Sequence, residues 1–108
     1  KAFEIKEKLK KKKISVEINS CHTLKPFDFV GLKKKFKKFK SIIIIEDHSE
    51  IGGLNNIVKT AAYEEGYSGK IVNFSLKDKF IHCYGNHDEL LEKHGISVNK
   101  IYKKILSL

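Results

Sequence analysis

The chemistry-bearing residue types in this chain gather in one short stretch. Glu46, Asp47 and His48 stand in a row, Glu50 follows, and Gly52-Gly53 lead into an apolar-periodic run. A histidine titrates near neutrality and, beside carboxylates, could move a proton or meet a phosphate. Glu46, Asp47 and Glu50 could draw a divalent cation, and a glycine pair ahead of a helix could expose amides to an anion. Each reading has a plainer competitor, and the competitor is stronger. Proton transfer needs a nucleophile or cofactor beside it, and the stretch supplies neither, so His48 reads better as hydrogen-bonded within its turn or facing another domain. Adjacent acids on extended backbone point to opposite faces, which parts Glu46 from Asp47. Two glycines without a longer fingerprint mainly permit a tight passage from strand to helix. Cys21-His22 and His82-Cys83 have zinc-ligand chemistry but lack CxxC-like spacing, and directly adjacent side chains rarely face one ion. They read as two free, mostly buried thiols. The expectation is therefore no catalytic residue and no metal ligand, with Glu46, Asp47, His48, Gly52 and Gly53 as an interdomain or anion contact.

The elements that hold this stretch follow from periodicity. Ile42 to Ile45 is a continuous β-branched run, the pattern of a central parallel strand buried on both faces, with Glu46-Asp47-His48 as an acidic turn at its carboxyl end. In open α/β sheets that end is where chemistry and partner contacts collect. Leu54, Ile57, Val58, Ala61 and Ala62 recur at helical spacing, and Gly66 to Gly69 ends that helix. Ala2 to about Lys12 reads as helix, with Ala2, Ile5 and Leu9 on one face and Phe3 beside them. Ile14 to Asn19 alternates as a strand does, and Ile71 to Leu76 reads as another strand. Cys21 to Pro26 is a connection, because the residue before proline leaves the helical region. Asp28 is placed to cap a helix whose Phe29, Leu32, Phe36 and Phe39 face inward, its lysines forming the wet side. Phe80 to Gly85 is irregular. Asn86, with Glu89 three residues on, makes a capping-box start, and Gly95 stops that helix. Ser97 caps a last helix carrying Val98, Ile101, Tyr102, Ile105 and Leu106 inward. Helix and strand alternate strictly, so the fold class is α/β: a three-layer α/β/α sandwich on a mainly parallel sheet.

Composition bounds the function. The 108 residues form one domain of common size, 41% hydrophobic and 32% charged. No apolar run approaches the roughly 20 residues that span a bilayer, and two cysteines suit a reducing cytoplasm rather than a disulfide scaffold. The net charge of +9 suggests nucleic acid at first sight. Yet every basic residue is lysine, concentrated in Lys10 to Lys13 and Lys33 to Lys40, whereas base readout and bidentate phosphate gripping favour arginine. Such runs read as solvated faces. The absence of methionine marks a fragment or a trimmed domain.

Taken in order, Ile14-Ser-Val-Glu-Ile, Thr23-Leu24-Lys25-Pro26-Phe27-Asp28, Ile42-Ile-Ile-Ile-Glu46-Asp47-His48, Gly52-Gly53-Leu54 and Phe80…Gly85…Leu90-Leu91…Gly95-Ile96-Ser97 resemble the C-terminal domain of transketolase over essentially the whole chain. Two departures stand out: Asn55 replaces the family's small residue after Gly-Gly-Leu, and the family's opening strand is missing, so residues 1–108 would start inside the first helix. The resemblance implies a parent enzyme that moves a two-carbon ketol unit between sugar phosphates on thiamine diphosphate and magnesium, both held by other domains. It implies that this domain binds no cofactor, has no activity alone, and serves interdomain packing and homodimer assembly. Deoxyxylulose-phosphate synthase and the β subunit of a 2-oxoacid dehydrogenase carry a matching domain and are the alternatives within the resemblance. A lysine-rich nucleic-acid-binding module is the alternative outside it.

Overall fold

A computed structural model describes residues 1–108, which divide into two compact units, Cys21–Asp78 and the pair of segments 1–20 and 79–108. The elements run α1 (Ala2–Lys10), α2 (Phe29–Lys38), β1 (Ser41–Ser49), α3 (Leu54–Glu64), β2 (Lys70–Leu76), α4 (His87–Lys93) and α5 (Val98–Leu106). The class is α/β, as the alternation implies.

In the Cys21–Asp78 unit, β1 and β2 form a two-stranded parallel sheet joined by α3, the crossover that a parallel pair requires. Ser41 to Ile45 pair in step with Lys70 to Phe74, and a register shift then brings Ser49 opposite Leu76. One face of the sheet turns Ile42, Ile44 and Ile71 toward Leu32 and Phe36 of α2 and Val58, Ala61 and Ala62 of α3. Ile44 is buried and Ile42 and Ile71 are partly so; fully burying an isoleucine is worth about 1.5–3 kcal/mol. Tyr67 stacks on Phe36 with ring centroids 4.6 Å apart and donates its hydroxyl proton to the Phe39 carbonyl at 3.0 Å. Asp28 caps α2, accepting from the Gly31 amide at 2.8 Å.

Several expectations change here. Ile43 and Ile45 are only half-buried, so β1 is not enclosed on both faces within this unit. Nor does the strand stop before the acidic residues: β1 continues through Glu46, Asp47 and His48, which have no matched partner on β2, to Ser49, which pairs again with Leu76. Phe29 is exposed, since it sits at the first helical position of α2 and packs edge-on against Phe27, its neighbour but one, at 5.1 Å. Cys21 is exposed and Cys83 half-buried; both are free thiols, but neither is buried as expected.

In the unit of residues 1–20 and 79–108, α1 packs on α5, and Ile5, Leu9, Leu91, Ile96 and Ile101 are buried. Asn86 and Glu89 form the anticipated capping box of α4, and Ser97 caps α5. Phe3 and Leu106 lie exposed at the margins of their helices. Ile14 to Asn19 is not a strand. Its alternation sets which side chains share a face, but a strand also needs a neighbour to take its amides, and this segment has no ladder partner.

Three helices end alike. After α1, α3 and α4 the chain makes paired six-to-one and five-to-two hydrogen bonds: Ile14 and Lys13 to Leu9 and Lys10, Tyr67 and Gly66 to Ala62 and Tyr63, Ile96 and Gly95 to Leu91 and Glu92. This closure needs a left-handed residue. Gly66 and Gly95 supply it at φ +62° and +88°, and Lys13 supplies it at +59°.

Candidate functional site

The carboxyl end of β1 is built on the sheet face that carries the core. Ile42, Ile44 and Glu46 share that face by strand alternation, as do Ile71, Asn73 and Ser75 on β2. The face thus changes from apolar to polar toward the strand ends. Asn55, in the first turn of α3 and only 1% exposed, donates from Nδ2 to Glu46 Oε1 at 2.7 Å and to the Glu50 carbonyl at 3.0 Å. The Ser75 hydroxyl donates to the same Glu46 oxygen, and Asn73 Nδ2 donates to Ser75 Oγ. One glutamate therefore ties together β1, β2 and the start of α3. Its second oxygen, Oε2, is buried without a hydrogen-bond partner, as is Asn73 Oδ1.

Gly53 is the residue at the mouth of α3, and it carries no side-chain cap. A methyl group there would overlap Glu46 Oε2 and crowd His48 Nδ1. A side chain at this position would therefore make the Glu46 carboxylate or the His48 ring move aside. The carboxylate of Glu46 lies where the positive end of the helix dipole favours an anion. Gly52 takes φ +78°, the left-handed region that glycine enters without strain.

The connecting corner is pinned by short-range bonds. The Glu50 amide donates to the Leu76 carbonyl at 2.9 Å, and the Ile51 amide donates to Ser49 Oγ at 3.2 Å. His48 Nδ1 donates to the Ser49 carbonyl at 3.0 Å, which in the neutral ring leaves Nε2 as the acceptor. Asp47 and His48 are exposed, and Ile51 is 62% exposed beside them. Glu46 is half-buried and Asp47 exposed, so the two carboxylates lie in different surroundings. The chain assembles no group of three or more His, Cys, Asp or Glu side chains. Its residues therefore do not form the oxygen-rich set that a magnesium–diphosphate group needs.

Residues 1–101 match the family model described as "Transketolase, C-terminal domain". The chain belongs to the transketolase C-terminal domain family. It is 33% identical over its whole length to a 1-deoxy-D-xylulose-5-phosphate synthase of Clostridium tetani, of which it covers 17%. Over 97% of its length it is 36% identical to a protein of Methanocaldococcus jannaschii named as a transketolase C-terminal section, of which it covers 32%. A 1-deoxy-D-xylulose-5-phosphate synthase of Thermotoga maritima is 32% identical over 87% of the chain and is covered to 15%. The chain thus spans between about a sixth and a third of the length of these relatives.

Within the transketolase C-terminal domain, the structure brings Glu46, His48 and Gly53 together and leaves Asp47 exposed, outside that group. The residues that sequence reasoning missed are Asn55 and Ser75, which organise Glu46. Asn55 had shown itself only as a departure from the family's small residue. Ser75 had no signal of its own, since its contact with Glu46 spans 29 positions and follows from the parallel register.

Proposed function

We propose that this chain is the C-terminal, non-catalytic domain of a thiamine-diphosphate-dependent transferase that moves a two-carbon ketol unit between sugar phosphates. The match of residues 1–101 to the transketolase C-terminal domain family carries this reading. Thiamine diphosphate and magnesium would be held by other domains of the parent enzyme. The partners proposed are those domains or a companion subunit, and a second copy of the parent in a homodimer, rather than nucleic acid or a membrane. No helix of the chain is long and apolar enough to cross a membrane.

The corner of Asp47, His48 and Ile51 is the contact surface in this proposal. It combines a carboxylate, an imidazole and an exposed isoleucine, and the bonds beneath it hold it in one shape. A pre-ordered corner loses little conformational entropy when a neighbouring domain covers it. Glu46, Gly52 and Gly53 act from below, by fixing the strand-to-helix passage.

A second reading rests on the two relatives named 1-deoxy-D-xylulose-5-phosphate synthase: the parent would form that product instead. Both readings are tested by purifying the chain with and without the parent's thiamine-binding segments. Ketol transfer and 1-deoxy-D-xylulose 5-phosphate formation are then assayed in parallel. The chain alone should be inactive and the assembly active in one assay. Ile51→Lys should weaken association at least about tenfold while leaving the fold intact, the change of one desolvated side chain at an interface. An assembly whose affinity ignores Ile51→Lys and His48→Ala would overturn the contact assignment. Activity in neither assay would overturn the enzyme reading.

A further inference from the structure

The lysines of the α1–α5 pair are not spread evenly over a wet surface. Lys8, Lys11 and Lys12 from the end of α1 converge with Asn99, Tyr102 and Lys103 of α5 around an open cleft of about 410 Å³. No carboxylate lines it, and α5 contains no acidic residue at all. Lys8 and Lys11 are three positions apart, the spacing at which like charges on a helix repel, and Lys12 follows in the closing turn. A solvated face usually relieves such repulsion by interleaving acids. Glu4 and Glu7 stand four residues before Lys8 and Lys11 on α1, but neither lines the cleft.

One of the cations is also oriented. Lys8 Nζ donates to Asn99 Oδ1 at 3.0 Å and stands 5.8 Å from the centroid of the Tyr102 ring. Both partners are uncharged, so Lys8 is positioned without being neutralised. The cleft therefore offers the Lys8 ammonium, held to an amide and over a phenol ring, with the side chains of Lys11, Lys12 and Lys103 lining it.

We infer that the α1–α5 cleft is a binding site for a small oligophosphate, a ligand carrying at least two phosphoryl groups. One phosphate would engage Lys8 and Lys103, and a second would reach Lys11 or Lys12. Lysine binds phosphate as a compact point charge, and a concave cationic site concentrates anions beyond what a flat surface achieves. Nucleic acid fits less well: the cleft is local and holds no arginine for base or bidentate phosphate contacts. This site is separate in sequence from the Glu46–Gly53 corner and does not depend on the contact role proposed for it.

The test uses the 108-residue chain. Tripolyphosphate, a sugar bisphosphate and orthophosphate are titrated at about 0.15 M salt, where the Debye length is near 8 Å. Binding is read by calorimetry and by NMR shifts at Asn99 and Tyr102. Tripolyphosphate or the bisphosphate should bind at least about tenfold more tightly than orthophosphate, as expected when a second phosphate adds its own contact. Comparing the two shows whether the phosphates must be adjacent or held apart by a sugar. The double variant Lys8→Gln/Lys103→Gln should lose about tenfold or more, whereas Lys34→Gln/Lys59→Gln, which removes equal charge from α2 and α3, should change affinity less than twofold. Asn99→Asp places a carboxylate inside the cleft and gives Lys8 a stronger partner. It should abolish binding while the thermal midpoint is kept or raised, which separates loss of the site from loss of the fold. Equal losses in both double variants, no preference over orthophosphate, or oligonucleotide binding that outlasts Lys8→Gln/Lys103→Gln would each overturn the proposal.

Discussion

Asn55 and Lys8 each tie two elements together, and they do so on opposite sides of the boundary between protein and water. Asn55 is sealed under the strand-to-helix corner and spends its amide hydrogens on a carboxylate and a carbonyl. Lys8 lies exposed on α1 and reaches one amide oxygen and one ring on α5. A buried polar group must be paired, because water cannot replace a lost partner. An exposed one is replaced by solvent at little cost. The Cys21–Asp78 unit has thus placed its specificity inside, and the unit of residues 1–20 and 79–108 has placed its distinctive chemistry outside. The first arrangement resists change, and the second is free to accept a ligand.

The comparison is most sharply broken at Asn55. Asn55→Ala should cost about 1–3 kcal/mol in chemical denaturation, the range for stranding a buried acceptor. Ser75→Ala should cost less alone, and the two together should depart from additivity by about 0.5–3 kcal/mol because both act through Glu46. Additive losses would mean that the glutamate does not couple them.

Next in size is Tyr67. Tyr67→Phe keeps the stack on Phe36 and removes the bond to the Phe39 carbonyl, at about 1 kcal/mol. Burial raises the Tyr67 hydroxyl above its ordinary 10.0, so the unfolded chain releases this proton first. The stability tied to it is complete below about pH 10 and is lost as the pH rises through the folded value. The wild-type chain should therefore lose stability on an alkaline limb that Tyr67→Phe lacks, as followed by denaturation at stepped pH.

The smallest effect carries the opposite sign. α3 and α4 close on Gly66 and Gly95, whereas α1 closes on Lys13 in the same left-handed geometry. Lys13→Gly should stabilise by about 0.5–1 kcal/mol, since a left-handed backbone is costly for a residue with a Cβ. A thermal midpoint that fails to rise would indicate that the Lys13 side chain makes a contact of equal worth.

What could be read from the sequence was local. Asp28, Asn86 with Glu89, and Ser97 cap as their types and spacing predict, and Gly95 stops α4, because each involves residues within one turn. The apolar spacing of α3 predicted Val58, Ala61 and Ala62 in the core. What could not be read depended on distant partners. Ile14 to Asn19 has a strand's pattern and no strand beside it. Glu46 looked like half of an acidic turn until the register of β2 placed Ser75 within reach. The lysine run from Lys10 to Lys13 looked uniform, and only the packing of α5 singles out Lys11 and Lys12 as cleft residues and leaves Lys10 outside.

The register shift of β1 has a further consequence. Between matched pairs the chain advances from Ile45 to Ser49 on one strand and only from Phe74 to Leu76 on the other. The surplus on β1 is two residues, an even number, so alternation resumes with the same inside and outside. The corner is thus a length-tolerant module. Residues could be added or removed there in pairs, reshaping the exposed rim of Asp47 and His48, without turning Ile42 and Ile44 out of the core. A single-residue change would reverse the facing of the residues that follow it in β1, while Ile42 and Ile44, which precede it, keep their pairing with Ile71 and Asn73.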